Sequence, residues 1–275
     1  MSEFICSAGP GDRPYEEAHD GFSIAAVVEG NFLYRADGGV ALLHPGALLL
    51  GNHGGCFRCG HEHGAGDRCI SFNFSPDYFA EIARKAAGAS GFRFRAPMLP
   101  VGKRSTPLLA LVQAVDENAD RLRLEELATH LVERVLAALS ERIPSPSLPS
   151  RLEMRRIADV LGHIETNAAE PIDLAGLASL ANVSKYHFLR MFRRVTGSTP
   201  YQCVLGARMR RAAARLARSS DPVTSIAFES GFGDLSTFNA RFRGLFGVTP
   251  TAYRSSFAAR RTGWEARATR PRRSR

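Results

Sequence analysis

The sequence contains no apolar run long enough to cross a membrane. A membrane-spanning helix needs about 20 consecutive, predominantly apolar residues, and the best candidate stretch, residues 40–50, is broken by His44, Pro45 and Gly46. The first 17 residues also lack an apolar run behind a basic start, so no secretory signal peptide is expected. These absences predict a protein with no membrane partner.

The cysteines are few and do not form an even, regularly spaced set. An odd count with irregular spacing argues against the disulfide framework of a small secreted protein and predicts a reducing compartment such as the cytoplasm. The five are Cys6, Cys56, Cys59, Cys69 and Cys203. No Ser-His-Asp spacing, phosphate-cradling glycine loop or carboxylate pair stands above background, so we do not predict an enzyme.

Charge is distributed unevenly along the 275 residues. Residues 1–150 carry 14 Lys and Arg against 18 Asp and Glu, a net charge of −4, whereas residues 151–275 carry 22 against 9, a net charge of +13. A strongly basic half predicts a polyanionic partner such as double-stranded DNA. Seven arginines and only one acid, Glu265, fall in residues 260–275; we predict a disordered tail over residues 259–275 that adds nonspecific DNA affinity or, alternatively, solubility.

The periodicity of apolar residues divides the chain into two domains. Residues 22–94 hold short apolar runs punctuated by glycine, the pattern of a small antiparallel barrel or sandwich. Residues 108–118 and 124–139 are apolar at helical spacing, and the second of these packs on its own domain or, alternatively, forms a dimer seam. Because the proline-rich residues 144–150 cannot continue a helix, we predict an α+β chain with a β-rich domain over residues 1–143, a linker, and an all-α domain over residues 151–258.

An internal repeat of about 50 residues occupies the second domain. A shift of 50 superimposes Phe188 on Phe238, Phe192 on Phe242 and Gly197 on Gly247. Each copy is predicted to form two helices joined by a tight turn, with capping side chains and left-handed turn residues at matching places. The predicted caps are Asp173, Ser184 and Asp234, and the turn residues are Asn182 and Gly231.

A long helix is predicted to join the two copies. Residues 199–218 would span about 30 Å as a helix, close to the roughly 34 Å between successive major-groove faces on one side of DNA. One chain could therefore place a helix in each of two neighbouring grooves. The alternative is that the units only pack together and one of them contacts DNA.

The paired motifs resemble the DNA-binding region of the AraC/XylS family of bacterial transcription regulators. The resemblance rests on residues 184–197, SKYHFLRMFRRVTG, and on residues 231–250 followed by Tyr253 and Arg254. It implies a seven-helix DNA-binding domain, commonly preceded by a cupin-like antiparallel β-barrel that binds a ligand and dimerises. We therefore expect a homodimeric regulator, in most such cases an activator that contacts RNA polymerase, whose N-terminal domain senses a small molecule, a metal or a redox signal.

The same resemblance implies which residues contact DNA. In the first unit the base-facing positions match Tyr186, Leu189 and Arg190, and an arginine there can form a bidentate contact to guanine. The phosphate-contacting candidates are Lys185, Arg193 and Arg194. In the second unit the groove-facing positions match Leu235, Ser236 and Asn239, with Arg241 and Arg243 as further candidates. Because Ala240 stands where the family often has arginine, and one residue rotates a side chain by about 100°, base contact by Arg241 is in doubt.

Cysteine and histidine are concentrated in one 14-residue window of the first half. Residues 56–69 hold five of the 13 Cys and His of the chain, about seven times the share that uniform spacing gives. The five are Cys56, Cys59, His61, His63 and Cys69. They provide enough N and S ligands for zinc or another transition metal, and alternation along a strand places Cys59, His61 and His63 on one side. A thiol redox switch and an inert hairpin loop are the alternatives.

A cupin-type metalloenzyme fused to a DNA-binding domain is the alternative function. Gly55, His61, His63 and Asp67 resemble the first metal motif of cupin enzymes, with aspartate in place of the usual glutamate. That motif requires a later histidine on a neighbouring strand, and no histidine occurs between residues 64 and 129. The sequence therefore favours a regulator over an enzyme.

Overall fold

The computed structural model describes residues 1–61, 66–87, 91–113, 121–139 and 149–257. His63, most of the predicted linker and the predicted basic tail lie outside these residues. The first 139 residues, hereafter the sheet region, form two antiparallel sheets and three helices, and residues 149–257, the helical region, contain only helices. No helix among the described residues is both long and apolar enough to cross a membrane.

The two sheets differ in size and in order. The five-stranded sheet runs β1 (Ser2–Cys6), β8 (Asp67–Phe74), β3 (Phe22–Gly30), β6 (Leu48–Gly51) and β9 (Met98–Leu99). The four-stranded sheet runs β2 (Glu17–Ala18), β7 (Cys56–Gly60), β4 (Phe32–Ala36) and β5 (Gly39–Leu43). The predicted antiparallel β-rich N-terminal part is thus confirmed as two sheets.

Alternation along the strands builds a layered core. Val27, Tyr34 and Leu43 are fully buried between the sheets, whereas Ile24 and Phe72 point to the other face of the five-stranded sheet. That face is covered by three helices, α1 (Pro76–Ala87), α2 (Ser105–Gln113) and α3 (Arg121–Leu139). Strand β3 is mostly apolar on both faces because each of its faces is packed. The apolar stripe of α3 packs within the sheet region, in agreement with the prediction that this helix packs on its own domain.

The helical region contains seven helical segments among the described residues, as the family resemblance implied. They are α4 (Arg151–Asn167), α5 (Leu174–Leu180), α6 (Lys185–Thr196), α7 (Pro200–Arg218), α8 (Val223–Glu229), α9 (Leu235–Phe246) and residues 250–257. Helices α5 and α6 form the first helix-turn-helix unit, and α8 and α9 form the second. The predicted joining helix is α7, whose 19 residues span about 28 Å.

The local signals that predicted these units are present in the structure. The Asp173 carboxylate accepts from the Gly176 amide at 2.7 Å, the Ser184 hydroxyl accepts from His187 at 3.3 Å, and Asp234 accepts from Thr237 at 2.7 Å. The two turns place Asn182 at φ 52° and Gly231 at φ 90°. Asparagine and glycine tolerate this left-handed backbone best. For that reason the two turns could be predicted from the sequence.

Replacing Gly231 by alanine should lower the free energy of unfolding by about 1 to 2 kcal/mol, because a Cβ is strained at this φ. The alanine Cβ would also lie 2.6 Å from the Ala169 carbonyl oxygen. Urea denaturation of the full chain measures the effect. Gly233→Ala is the matched control, since nothing lies within 4 Å of a Cβ there. Equal losses in the two variants would show that the Gly231 backbone is not the cause.

The outer face of the four-stranded sheet packs on the helical region. Leu33 and Leu42 from this sheet, together with Val101, join the buried core of α4, α5 and α6. The Ser198 hydroxyl donates to the Val101 carbonyl at 2.7 Å, and a Cβ on Gly206 would lie 2.9 Å from the Val101 side chain. The two regions therefore share one core in this structure.

A buried arginine and histidine lie at the centre of this contact. Arg210 of α7 is 4% exposed; it pairs with Glu165 and donates to the Pro45 carbonyl at 3.3 Å. His44, next to that proline, is 1% exposed. Burial, together with the positive charge of Arg210, lowers the pKa of His44 to about 4, despite the hydrogen bond between its Nδ1 and the Pro45 carbonyl oxygen, which accepts at 3.1 Å.

Acidification should therefore destabilise the protein through His44. Its pKa is lower in the folded chain than the usual 6.5, so the unfolded chain takes up the proton first, and stability is lost as pH falls from 6.5 towards 4. Between about pH 7 and about pH 5 this group alone should cost about 2 kcal/mol. Urea titrations across this range measure the loss. His44→Asn should flatten the pH dependence; an unchanged slope would contradict the assignment.

Candidate nucleic-acid interface and thiol cluster

Helix α6 buries one face and exposes the other. Phe188 and Phe192 are fully buried in the core of the first unit, whereas Tyr186 is 71% exposed and Leu189 is 40% exposed. Lys185, Arg190 and Arg193 share this exposed side. The sheet region packs against the buried side of α6 and contacts Gly197 and Ser198 beyond the end of the helix, so it leaves this exposed side uncovered. The first half of α6 is thus a free, basic and partly aromatic surface.

Arg190 and Tyr186 lie one helical turn apart on α6, and their side chains are in contact. The guanidinium carbon of Arg190 is 5.7 Å from the centre of the Tyr186 ring, within the range of a cation–π interaction. No ion pair holds this guanidinium within the part of the chain that the structure describes. Its hydrogen-bond donors are therefore available to a guanine edge, the contact expected from the sequence.

Arg194 differs from the other candidates on α6. It is half-buried and pairs with Glu153 near the start of α4. The same carboxylate accepts from the Ser150 amide at 2.9 Å and completes the capping box of α4. Phosphate contact by Arg194 is still a prediction, and the ion pair with Glu153 competes with it.

The second unit offers a less basic surface. Ser236, Asn239 and Arg243 are exposed on α9, whereas Leu235 is half-buried and packs on the core of the second unit. The guanidinium of Arg241 lies 6.0 Å from the Tyr201 ring at the start of α7. This position beside α7 agrees with the doubt about base contact by Arg241.

Many arginines of the helical region brace it internally, which the charge count did not reveal. Arg208 donates to the Ala168 carbonyl at 2.6 Å, Arg215 pairs with Asp221 at 2.6 Å, and Arg211 donates to the Thr166 carbonyl at 3.2 Å. Their spacing of three and four residues places them along one side of α7. That spacing shows that the three arginines share a side of the helix, but it does not indicate whether that side faces the fold or DNA. The net charge of +13 therefore overstates the charge that faces DNA.

In the sheet region, the structure groups three potential metal ligands. Cys6 ends β1, His61 follows β7 and Asp67 begins β8, and their ligand atoms all lie within 4.8 Å of one another. His61 Nε2 and Asp67 Oδ1 are 2.5 Å apart, with side chains 3% and 9% exposed. The Cys69 thiol donates to the other Asp67 oxygen at 3.2 Å. We call Cys6, His61, Asp67 and Cys69 the thiol cluster.

The predicted ligands are only partly brought together. Alternation along β7 leaves Cys56 exposed and Cys59 half-buried, and Cys56 lines a separate small pocket with His19 and Tyr34. His63 lies outside the described residues. Cys6 lies outside the window of residues 56–69, and Asp67 matches only the cupin-like motif, so no sequence signal groups these two residues. Their proximity follows from the antiparallel register of β1 and β8, which pairs Cys6 with Asp67.

Burial and nearby acids keep two of the thiols protonated. Burial, with smaller contributions from Asp67 and Glu17, raises the pKa of Cys59 to about 12. Burial and Asp67 also raise the pKa of Cys69. A redox switch needs an accessible thiol with a lowered pKa, so these two thiols do not favour that alternative. A bound cation, by contrast, would stabilise the Asp67 carboxylate beside these thiols.

Comparison with known proteins identifies two family models in the chain. The model described as an AraC-like ligand binding domain matches residues 5–132. The model described as a helix-turn-helix domain matches residues 177–256. The first match covers most of the sheet region, and the second begins within α5 and includes α6, α7, α8 and α9.

Individual relatives agree with these matches. An uncharacterized HTH-type transcriptional regulator of Bacillus subtilis, YbfI, is 28% identical over 221 residues, 79% of this chain and 78% of its own length. The Tn10 TetD protein of Escherichia coli is 35% identical over 98 residues, 36% of this chain and 71% of TetD. The crystal structure of the DNA-binding domain of AdpA with a target DNA covers 39% of this chain and 96% of that domain, at 33% identity and a TM-score of 0.38.

Proposed function

Because this chain belongs to the AraC family of transcriptional regulators, we propose that it reads specific DNA sequences with α6 and α9 and responds to a ligand of its sheet region. The family consists of DNA-binding regulators and not of enzymes, so the cupin-enzyme alternative is set aside. The observation that carries the proposal is the exposed Tyr186 and Arg190 surface on a capped helix of the matched region.

Two features support DNA contact by both units. Helix α7 fixes the distance between the units at about one turn of DNA, and both α6 and α9 expose polar residues at matching places. The first unit reads bases through Arg190 and Tyr186, with Leu189 against apolar base edges. The second unit, through Ser236, Asn239 and Arg243, contributes weaker base readout and phosphate contacts.

The contact between the two regions supplies a route for the signal. A ligand that alters the sheet region changes the docking at Pro45, Val101 and Arg210, and thereby the placement of the DNA-binding units. Such a ligand acts only through a difference in its affinity for the two arrangements. In this proposal the protein is a cytoplasmic homodimer that activates transcription through RNA polymerase.

The proposed domains follow the same division. Residues 1–143 form the sensory and dimerisation domain, with a cupin-like barrel as its architecture, and residues 144–150 form the linker. Residues 151–258 bind DNA. The arginine-rich residues 259–275 add nonspecific attraction to DNA.

Selection from random duplex DNA with the full chain tests this function. We expect the selected sites to contain two half-sites about 10 to 10.5 base pairs apart, centre to centre, because one unit follows the other by one helical turn. The half-site bound by the first unit should show the stronger sequence preference. Recovery of DNA without any shared sequence would refute the proposal, and a single half-site would refute DNA reading by both units.

A further inference from the structure

Strand β1 is an exposed edge strand whose last residue enters the thiol cluster. Phe4 and Ile5 are 55% and 75% exposed, so little apolar packing holds the strand in place. It is paired through its backbone with β8 on one side only. Cys6 is the point at which this strand reaches a buried group, the His61 and Asp67 pair.

The backbone around Gly66 brings Cys6 and Asp67 together. Gly66 has φ 73° and its amide donates to the Ala8 carbonyl at 2.8 Å. A side chain on Gly66 would collide with the Cys6 carbonyl oxygen. The residue before Asp67 is thus held directly against the end of β1. Cys6 and Asp67 therefore meet through a close backbone approach that only glycine permits.

The cluster is short of positive charge. Asp67 is nearly buried, and within the described residues its side chain is hydrogen-bonded only by His61 and Cys69. The adjacent Arg68 points away and pairs with Glu3 and Glu29. A buried carboxylate beside several thiols is costly unless a cation or strong hydrogen bonds compensate it. A divalent metal ion supplies such compensation.

We propose that Cys6, His61 and Asp67 bind a divalent cation of the zinc type and that the bound ion fixes β1 to β8. Thiolate, imidazole and carboxylate are the ligands that zinc uses in proteins, at about 2.0 to 2.3 Å in a tetrahedral site, which places ligand atoms roughly 3.3 to 3.7 Å apart. The three ligand atoms lie within 4.8 Å of one another, so binding requires only small shifts, in which His61 Nε2 and Asp67 Oδ1, now 2.5 Å apart, separate to admit the ion. Cys69 orients the Asp67 carboxylate. Three protein ligands leave a fourth coordination position.

This inference rests on one part of the proposed function, namely that the sheet region is the part of the protein that senses a ligand. The metal would convert a loosely packed edge strand into a fixed one, and so give the sensory domain two arrangements. The ligand set differs from the sequence prediction, because it includes Cys6 and Asp67 and omits Cys56, Cys59, His63 and Cys69 as ligands. That difference makes the proposal testable with closely matched variants.

Cobalt(II) titration of the reduced, metal-free full chain tests the site. We expect one equivalent to bind with thiolate-to-cobalt charge-transfer absorption, and zinc to displace it. Cys6→Ala should abolish that absorption and weaken binding at least tenfold, and Asp67→Asn should weaken binding similarly. Cys6 lies on an exposed strand, so its variant should fold, which circular dichroism checks. Cys56→Ala, the matched control, should bind cobalt as the wild type does.

Hydrogen exchange provides a second measurement. Zinc should slow amide exchange in residues 2–6 of the wild type and of Cys56→Ala, but not of Cys6→Ala. Cobalt binding by Cys6→Ala with the wild-type affinity and absorption, or loss of binding in Cys56→Ala, would overturn the proposal, as would a wild type that binds no metal. DNA selection is run in parallel on the metal-free chain: specific DNA without metal binding removes this inference alone, and metal binding without specific DNA removes the proposed function alone.

Discussion

Replacing Arg190 by alanine should weaken binding to the selected DNA site by about 1 to 3 kcal/mol, a factor of roughly 5 to 150. The guanidinium is exposed on α6, stacked by Tyr186 at 5.7 Å, and therefore preorganised for a bidentate base contact. Its removal also leaves the donor and acceptor groups of a guanine without their partner. Affinity for an unrelated duplex should change little. Equilibrium binding to both duplexes at several salt concentrations measures the effect.

Arg193→Ala is the matched control on the same helix. Arg193 is exposed one turn further along α6, where we predict a phosphate contact. Its loss should lower the affinity for both duplexes by the same factor and reduce the slope of log K against log salt by about 1. If Arg190→Ala also weakened both duplexes equally, Arg190 would have to be reassigned to the phosphate backbone.

Replacing Arg210 by methionine should lower the free energy of unfolding by about 2 to 3 kcal/mol. Removing one partner of a fully buried ion pair costs about 3 to 5 kcal/mol. A smaller loss is expected here because the Glu165 side chain is 29% exposed and retains some water. The Pro45 carbonyl would also lose its donor. Methionine keeps most of the apolar packing, so the loss reports the charged contact. Urea denaturation of the full chain measures it.

Arg218→Met is the control for this prediction. Arg218 also lies on α7 and also reaches the sheet region, where it donates to the Gln113 carbonyl at 2.9 Å. It is exposed, so its replacement should cost well under 1 kcal/mol. Comparable losses for Arg210→Met and Arg218→Met would mean that burial does not account for the importance of Arg210.

The helical region could be predicted from its sequence because its signals are local. Asp173, Ser184 and Asp234 cap helices through contacts three residues away, and Asn182 and Gly231 mark turns by their own backbone angles. Each of these signals lies within a few residues of the element that it specifies. Because these signals recur after about 50 residues, the sequence also predicts that the region contains two equivalent helix-turn-helix units.

The thiol cluster and the contact between regions could not be predicted in the same way. Cys6 and Asp67 are 61 positions apart and meet only through the register of β1 and β8. Arg210 and Pro45 meet across 165 positions. The role of Arg194 depended likewise on Glu153, 41 residues earlier. Residue type and periodicity cannot distinguish an arginine that faces DNA from one that is paired inside the fold.

The shared core of the two regions has a practical consequence for truncated proteins. A fragment that ends before residue 144 would expose Leu33, Leu42 and Val101, which the helical region covers in the intact chain. Contiguous apolar surface of this kind promotes association. Dimers or aggregates formed by such a fragment would therefore report the uncovered sheet rather than the subunit contact of the whole regulator. Oligomeric state is best measured on the intact chain.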